Sequence, residues 1–102
     1  MKRKTAENND RKLAIYKALL ALKSVQEAER FLDNLCTPSE LEAMADRWLI
    51  VEKLTEGLPY RAIAEKTGAS VTTVTRVARC LNEENSGYKM IYDRIKSTKT
   101  KN

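Results

Sequence analysis

Residues 60–81 read YRAIAEKTGASVTTVTRVARCL, two short helical patterns separated by a glycine. The second pattern has three threonines among its first five residues and two arginines further along. Threonine is a poor choice for an exposed helix face, because its branched side chain loses rotamer freedom against the preceding turn. A requirement other than helix stability therefore selects these residues.

The spacing of this segment fits a helix-turn-helix, in which two short helices are joined by a tight turn. Apolar Ile63 and small Ala64 lie where the first helix must meet the second, and Gly68 lies where the chain must turn. Valines at helical spacing are predicted to anchor the second helix: Val71, Val74 and Val77. An ordinary corner between two helices would explain all of these residues equally well.

The outward face of the second helix separates the two interpretations. With Val74 pointing inward, four residues face away, and a fifth, Thr75, lies on the flank: Thr72, Thr73, Arg76 and Arg79. A threonine methyl group can contact the thymine methyl group, its hydroxyl can bind phosphate or base edges, and arginine can bind guanine or phosphate. Glu65 is the only acid from residue 60 to residue 80. We therefore predict a DNA-binding face made of Arg61, Lys66, Ser70, Val71, Thr72, Thr73, Thr75, Arg76 and Arg79.

The rest of the chain also follows helical periodicity and predicts an all-α fold of six helices. Ser24 with Glu27, and Thr37 followed by Pro38, are typical of helix starts. We expect the first helix to begin at Asp10, and the fourth and fifth to span about residues 59–66 and 71–82. The predicted organisation is a flexible basic N-terminus (1–9), a single domain (10–96) with the helix-turn-helix at 59–82, and a flexible basic tail (97–102).

Charge is distributed unevenly along the 102 residues, whose net charge is +5. Residues 60–80 contain four basic side chains and one acid, and both ends are also basic, whereas residues 13–59 are acidic overall. Positive charge confined to particular segments is typical of a nucleic-acid partner. No apolar run is long enough to span a bilayer and no signal peptide is visible, so we expect a cytoplasmic protein without a membrane partner.

The composition argues against an enzyme and against a metal protein. The chain contains no histidine, no Gly-rich phosphate loop and no nucleophile paired with a base, so we predict no catalytic residues. Cys36 and Cys80 lack the spacing of a metal or disulfide site, and we interpret them as small buried thiols in a reducing compartment.

The predicted third helix carries apolar residues on more than one face, which a chain of this size cannot cover alone. We infer that part of this surface meets a second copy of the chain, which makes the protein a homodimer.

Residues 35–81, LCTPSELEAMADRWLIVEKLTEGLPYRAIAEKTGASVTTVTRVARCL, resemble the core of the Trp repressor, in particular the Trp-repressor-like proteins of the YerC/YecD type. The matching features are the TPxE helix start, Arg47, the IVEKLxxG helix end and the GAxxxTxTR start of the second helix. The resemblance implies an intertwined all-α homodimer, in which helices four and five project to read DNA and the other four interlock.

The resemblance also assigns residues. Arg61 matches a base-contacting arginine, and Val71, Thr72, Thr73 and Thr75 match the start of the family's recognition helix. The family's ligand pocket falls on five residues, which we take as candidate ligand residues: Thr37, Arg47, Arg76, Val77 and Cys80. Val77 and Cys80 replace a glycine and a serine, which argues against tryptophan as the corepressor. We expect no cofactor. Whether a small molecule other than tryptophan acts as a corepressor is left open. Arg47 then becomes a structural ion-pair residue with Asp46 or Glu52.

Two functional hypotheses follow. The leading one is a bacterial transcription regulator, a dimeric repressor that reads a near-palindromic operator in double-stranded DNA. The alternative is a protein-interaction module that binds DNA only weakly and without sequence preference.

Overall fold

The structure is a computed structural model and describes residues 5–100, which form six helices and no strand. The helices are α1 (Thr5–Leu20), α2 (Val25–Leu35), α3 (Pro38–Thr55), α4 (Tyr60–Thr67), α5 (Val71–Leu81) and α6 (Gly87–Thr100). The predicted all-α fold with six helices is therefore confirmed. No helix between residues 5 and 100 is both long and apolar enough to cross a membrane.

Both terminal helices are longer than the sequence predicted. Helix α1 begins at Thr5 instead of Asp10, and α6 continues to Thr100, so residues 5–9 and 97–100 are helical; the flexibility predicted for them stays a prediction. Apolar periodicity shows which part of a helix packs against a neighbour. The backbone hydrogen bonds of the helix can continue beyond that part, through polar segments without proline or glycine. The predicted flexible residues 1–4 and 101–102 lie outside the described residues.

Backbone contacts group the chain into two compact units, one ending at Pro38 and one beginning at Ser39. The first unit contains α1 and α2. Ser24 caps α2 as predicted, because its hydroxyl accepts a hydrogen bond from the Glu27 N–H at 3.1 Å. The Glu27 carboxylate accepts the Lys23 N–H at 2.9 Å, which satisfies a second backbone donor at this helix start. The single domain over residues 10–96 stays a prediction.

The core of the second unit is apolar and joins three helices. Its fully buried side chains come from α3, α4 and α5: Ile50, Val51, Ile63, Val74 and Val77. Ala64 packs against this cluster from α4, where its small side chain lets the two helices approach closely. The roles predicted for Ile63, Ala64, Val74 and Val77 are confirmed. This shared core fixes α4 and α5 as a pair against α3.

Helix α6 packs on the same core through two aromatic residues, Tyr88 and Tyr92. The Tyr88 ring lies with its centroid 6.4 Å from that of Trp48 on α3, at an interplanar angle of 49°. Centroid separations of this size are typical of favourable aromatic pairs. The pair therefore ties α6 to α3 within the second unit.

Candidate nucleic-acid interface

The turn between α4 and α5 depends on one glycine and one threonine. Gly68 adopts the left-handed conformation (φ +80°, ψ −1°), and its N–H donates to the Ala64 carbonyl at 2.9 Å. The Thr67 hydroxyl donates to the Ile63 carbonyl at 2.8 Å and accepts the Ala69 N–H at 3.2 Å. Thr67 was not among the residues predicted from the sequence, although a threonine directly before a helix-ending glycine is a usable signal for such a bridge.

Replacing Gly68 with alanine is expected to lower the free energy of unfolding by about 1–2 kcal/mol, because a residue with a Cβ atom is strained at this φ. An added Cβ would meet no atom within 4 Å, so the expected loss is conformational and not steric. Urea denaturation followed by circular dichroism measures it.

Gly87→Ala is the matched control, since this site is equally open and its φ is not positive. Alanine at the start of α6 is expected to be neutral or stabilising. Equal losses of stability for Gly68→Ala and Gly87→Ala would contradict the explanation that the left-handed backbone at Gly68 causes the loss.

Ser70 directly precedes α5 and fixes its first turn. Its hydroxyl accepts the Thr73 N–H at 3.1 Å, and the Ser70 and Thr73 hydroxyl oxygens lie 3.0 Å apart. The Ser70 side chain therefore acts as the helix cap that its position in the sequence predicted. Thr73 is half-buried.

The exposed face of α5 is centred on three side chains one or two turns apart, Thr72, Arg76 and Arg79. Two predictions about the edges of this face are wrong. Thr73, placed on the outward face, is half-buried, while Thr75 on the flank is exposed. Val71, predicted to anchor the helix, is 46% exposed. A hydrophobic residue in the first turn of a helix extends beyond the core when the helix meets its neighbours further along.

The helix-turn-helix carries four exposed cations that the protein does not neutralise. Arg61 and Lys66 on α4 are exposed, as are Arg76 and Arg79 on α5. Within residues 5–100, none of the four forms an ion pair or a side-chain hydrogen bond. The first turns of α4 and α5 contain no acid, so the positive ends of both helix dipoles also stay uncompensated. This face can therefore accept an anion such as a phosphate without losing an internal contact.

The candidate ligand residues have different environments. Arg76 is exposed on α5, while Arg47 on α3 and Cys80 on α5 are half-buried. Val77 is 1% exposed and belongs to the apolar core, so its side chain offers no surface to a ligand. Thr37 lies in the first unit and is exposed.

Arg47 does not form the ion pair that the sequence suggested. Among the described residues it pairs with neither Asp46 nor Glu52. Consecutive helix positions point in different directions, which separates Arg47 from Asp46, and Glu52, five positions further along, lies outside the three- and four-residue spacings at which helix side chains meet. Within residues 5–100, no cluster of histidine, cysteine, aspartate and glutamate is arranged to hold a metal ion.

Comparisons with known proteins agree with this architecture. The model of the family described as Trp repressor protein matches residues 12–96. The protein named Uncharacterized protein YerC, from Bacillus subtilis strain 168, is 43% identical over 86 residues, which are 84% of this chain and 83% of that protein. A Trp operon repressor homolog from Chlamydia trachomatis serovar D is 38% identical over 71 residues, 65% of this chain and 76% of its own length.

A solved structure is similar across most of the chain. The crystal structure of a TrpR like protein from Eubacterium eligens ATCC 27750 superposes with a TM-score of 0.75 at 39% identity, covering 80% of this chain and 84% of that one. The family resemblance found in the sequence is therefore confirmed. The family is one of DNA-binding regulators and not of enzymes. The chain, with its six helices and its exposed, cationic helix-turn-helix, belongs to the Trp repressor family.

Proposed function

We propose that this protein is a cytoplasmic bacterial transcription regulator, a dimeric repressor that reads a near-palindromic operator through the helix-turn-helix. The observation that carries the proposal is the face of α4 and α5, where four exposed cations have no acidic partner among the described residues. Phosphate contacts from such cations orient a protein on the duplex, and side chains at the start of the recognition helix then reach base edges. Thr72 is exposed at that start.

Dimerisation is supported by apolar surface that the single chain leaves uncovered. Large exposed hydrophobic side chains lie on α1, α2 and α6: Leu13, Tyr16, Leu19, Leu20, Val25, Leu35, Met90, Ile91 and Ile95. Helix α2 has an apolar side but no buried residue. Exposed apolar surface on this scale marks an interaction site, and a second copy of the chain covers it in our proposal. Two recognition helices then meet half-sites about one helical turn apart.

We further propose that DNA binding needs no corepressor. Val77 fills its place on α5 with a side chain that contacts the core, and through this core α5 is held against α3 and α4. A recognition helix positioned by the chain's own packing does not need a ligand to order it.

Selection of binding sites from random duplex DNA, in parallel with and without L-tryptophan, tests these proposals. We expect the same near-palindrome in both arms at near-physiological salt. Salt must be fixed because phosphate contacts make affinity fall steeply with ionic strength.

Each of the other outcomes has a definite meaning. Enrichment only with tryptophan would refute corepressor independence and return Arg47 and Arg76 to a ligand site. Enrichment of no sequence in either arm would refute the operator-reading function and favour the protein-interaction module.

A further inference from the structure

The three threonines at the start of α5 differ in what their hydroxyl groups bind. The Thr73 hydroxyl lies 3.0 Å from the Ser70 hydroxyl, and the Thr73 N–H donates to the same oxygen. The Thr75 hydroxyl donates to the Val71 carbonyl at 2.9 Å. Thr72 is exposed, and within the described residues its hydroxyl has no partner. One sequence motif, TTVT, therefore contains three distinct chemical environments.

Thr73 belongs to the helix cap. It is half-buried, and its hydroxyl and N–H both contact Ser70. A side chain held in this way stabilises the first turn of α5 and is a poor candidate for a base contact.

Thr75 presents a methyl group. Because its hydroxyl donates its proton to the carbonyl of its own helix, this hydroxyl can only accept a hydrogen bond from a partner, and the methyl group is the apolar part of this exposed side chain. Val71 lies one turn earlier on the same face and is 46% exposed. Together they form a small apolar strip beside the cations Arg76 and Arg79.

We propose that the Val71–Thr75 strip reads the C5-methyl group of a thymine in the major groove, while the free hydroxyl of Thr72 makes the polar contact. The C5-methyl of thymine is the only methyl group that a base pair exposes in that groove, so an apolar strip can distinguish thymine there. The proposal rests on the DNA-binding function proposed above, and adds which base feature is recognised and by which residues.

Deoxyuridine tests the strip directly, since it differs from thymidine in DNA only by the missing methyl group. Each thymine of the selected site is replaced in turn, in one half-site. We expect one replacement to weaken binding about fourfold, the effect of leaving one methyl group without its apolar contact. Replacements elsewhere in the half-site are expected to have no effect.

Variants at position 75 separate the methyl group from the hydroxyl. Thr75→Val keeps the shape and the methyl group, and should keep the preference for thymine over deoxyuridine. Thr75→Ser keeps the hydroxyl, and should bind both DNAs equally. Thr72→Val is the matched control: it should weaken binding to both DNAs by about two- to tenfold, as expected for a lost hydrogen bond, and leave their ratio unchanged. Equal melting temperatures show that the variants are folded.

The results distinguish this proposal from the function on which it rests. A selected site that tolerates deoxyuridine at every position, or a Thr75→Ser variant that still prefers thymine, would overturn methyl reading and leave the regulator intact. A failed selection would overturn both.

Discussion

Replacing both Arg76 and Arg79 with alanine is expected to lower the affinity for the selected operator by about 30-fold or more. Both side chains are exposed on the recognition helix. Among the described residues neither has an internal partner, so the loss of their DNA contacts is not offset by any gain inside the protein. A guanidinium contact to a base or phosphate contributes about 1–3 kcal/mol, and two are removed from each chain.

The salt dependence of binding shows what these arginines contact. For two phosphate contacts, the slope of log affinity against log salt should become shallower by about 2 per chain. For contacts to guanine edges, the slope should change little while the preference for the selected base at that position is lost. Fluorescence anisotropy with the selected and a scrambled duplex, over a range of salt concentrations, measures both quantities.

Arg30→Ala with Arg94→Ala is the matched control. It removes the same charge from two exposed arginines outside the helix-turn-helix, on α2 and α6. We expect a loss of less than about threefold, because only long-range attraction is reduced. Equal losses for the two double variants would mean that overall charge, and not the α5 face, determines binding.

Much of this face could be predicted from the sequence because the helix-turn-helix has strict steric requirements. A turn glycine, a small residue at the helix crossing and valines at helical spacing can be recognised without coordinates. Ser70 could likewise be identified as a cap from its position before the second helical pattern. The structure has Gly68 in the left-handed conformation and Ser70 as the cap, as these requirements imply.

The roles of the individual threonines could not be predicted. Periodicity gives the direction of a side chain relative to the core, but not the rotamer that decides whether its hydroxyl bonds to its own helix. Thr73 and Thr75 lie on opposite flanks of the buried stripe; Thr73 contacts Ser70 and is half-buried, whereas Thr75 is exposed and bonds to its own helix. Val71 was assigned to the core for a similar reason, because apolar spacing does not reveal where the core ends.

The sequence also identified Arg47 as a candidate ligand or ion-pair residue, but the ion-pair partners predicted for it are wrong. Nearness in sequence suggested Asp46 or Glu52, yet ion pairs along a helix depend on three- and four-residue spacing. Apolar residues on several faces of α3 suggested more hydrophobic surface than one chain buries. Among the described residues, however, most of the large exposed hydrophobic side chains lie on α1, α2 and α6, and Met44 is the only one on α3. In the part of the chain that the structure describes, twelve large hydrophobic side chains are exposed, whereas six hydrophobic residues are buried.

The small core predicts a severe effect for Ile50→Ala. Ile50 is fully buried on α3, among side chains from the two helix-turn-helix helices. Removing three carbons there loses apolar burial and leaves a cavity, which is expected to lower the free energy of unfolding by about 2–5 kcal/mol. The total free energy of unfolding of such a domain is only about 5–15 kcal/mol.

Ile50→Val gives the graded comparison, since it removes one methyl group and should lower stability by about 0.5–1.5 kcal/mol. Urea denaturation at one fixed protein concentration is the measurement, because a dimer's apparent stability depends on concentration. Glu65→Ala serves as the control at an exposed site of α4, outside the apolar surface assigned to the second copy. If Ile50→Ala lowers stability no more than Glu65→Ala, then the cluster of α3, α4 and α5 is not what holds α5 in place. In that case the proposal that DNA binding needs no corepressor would lose its structural support, because it assumes that core packing at Val77, and not a bound ligand, holds α5 in position.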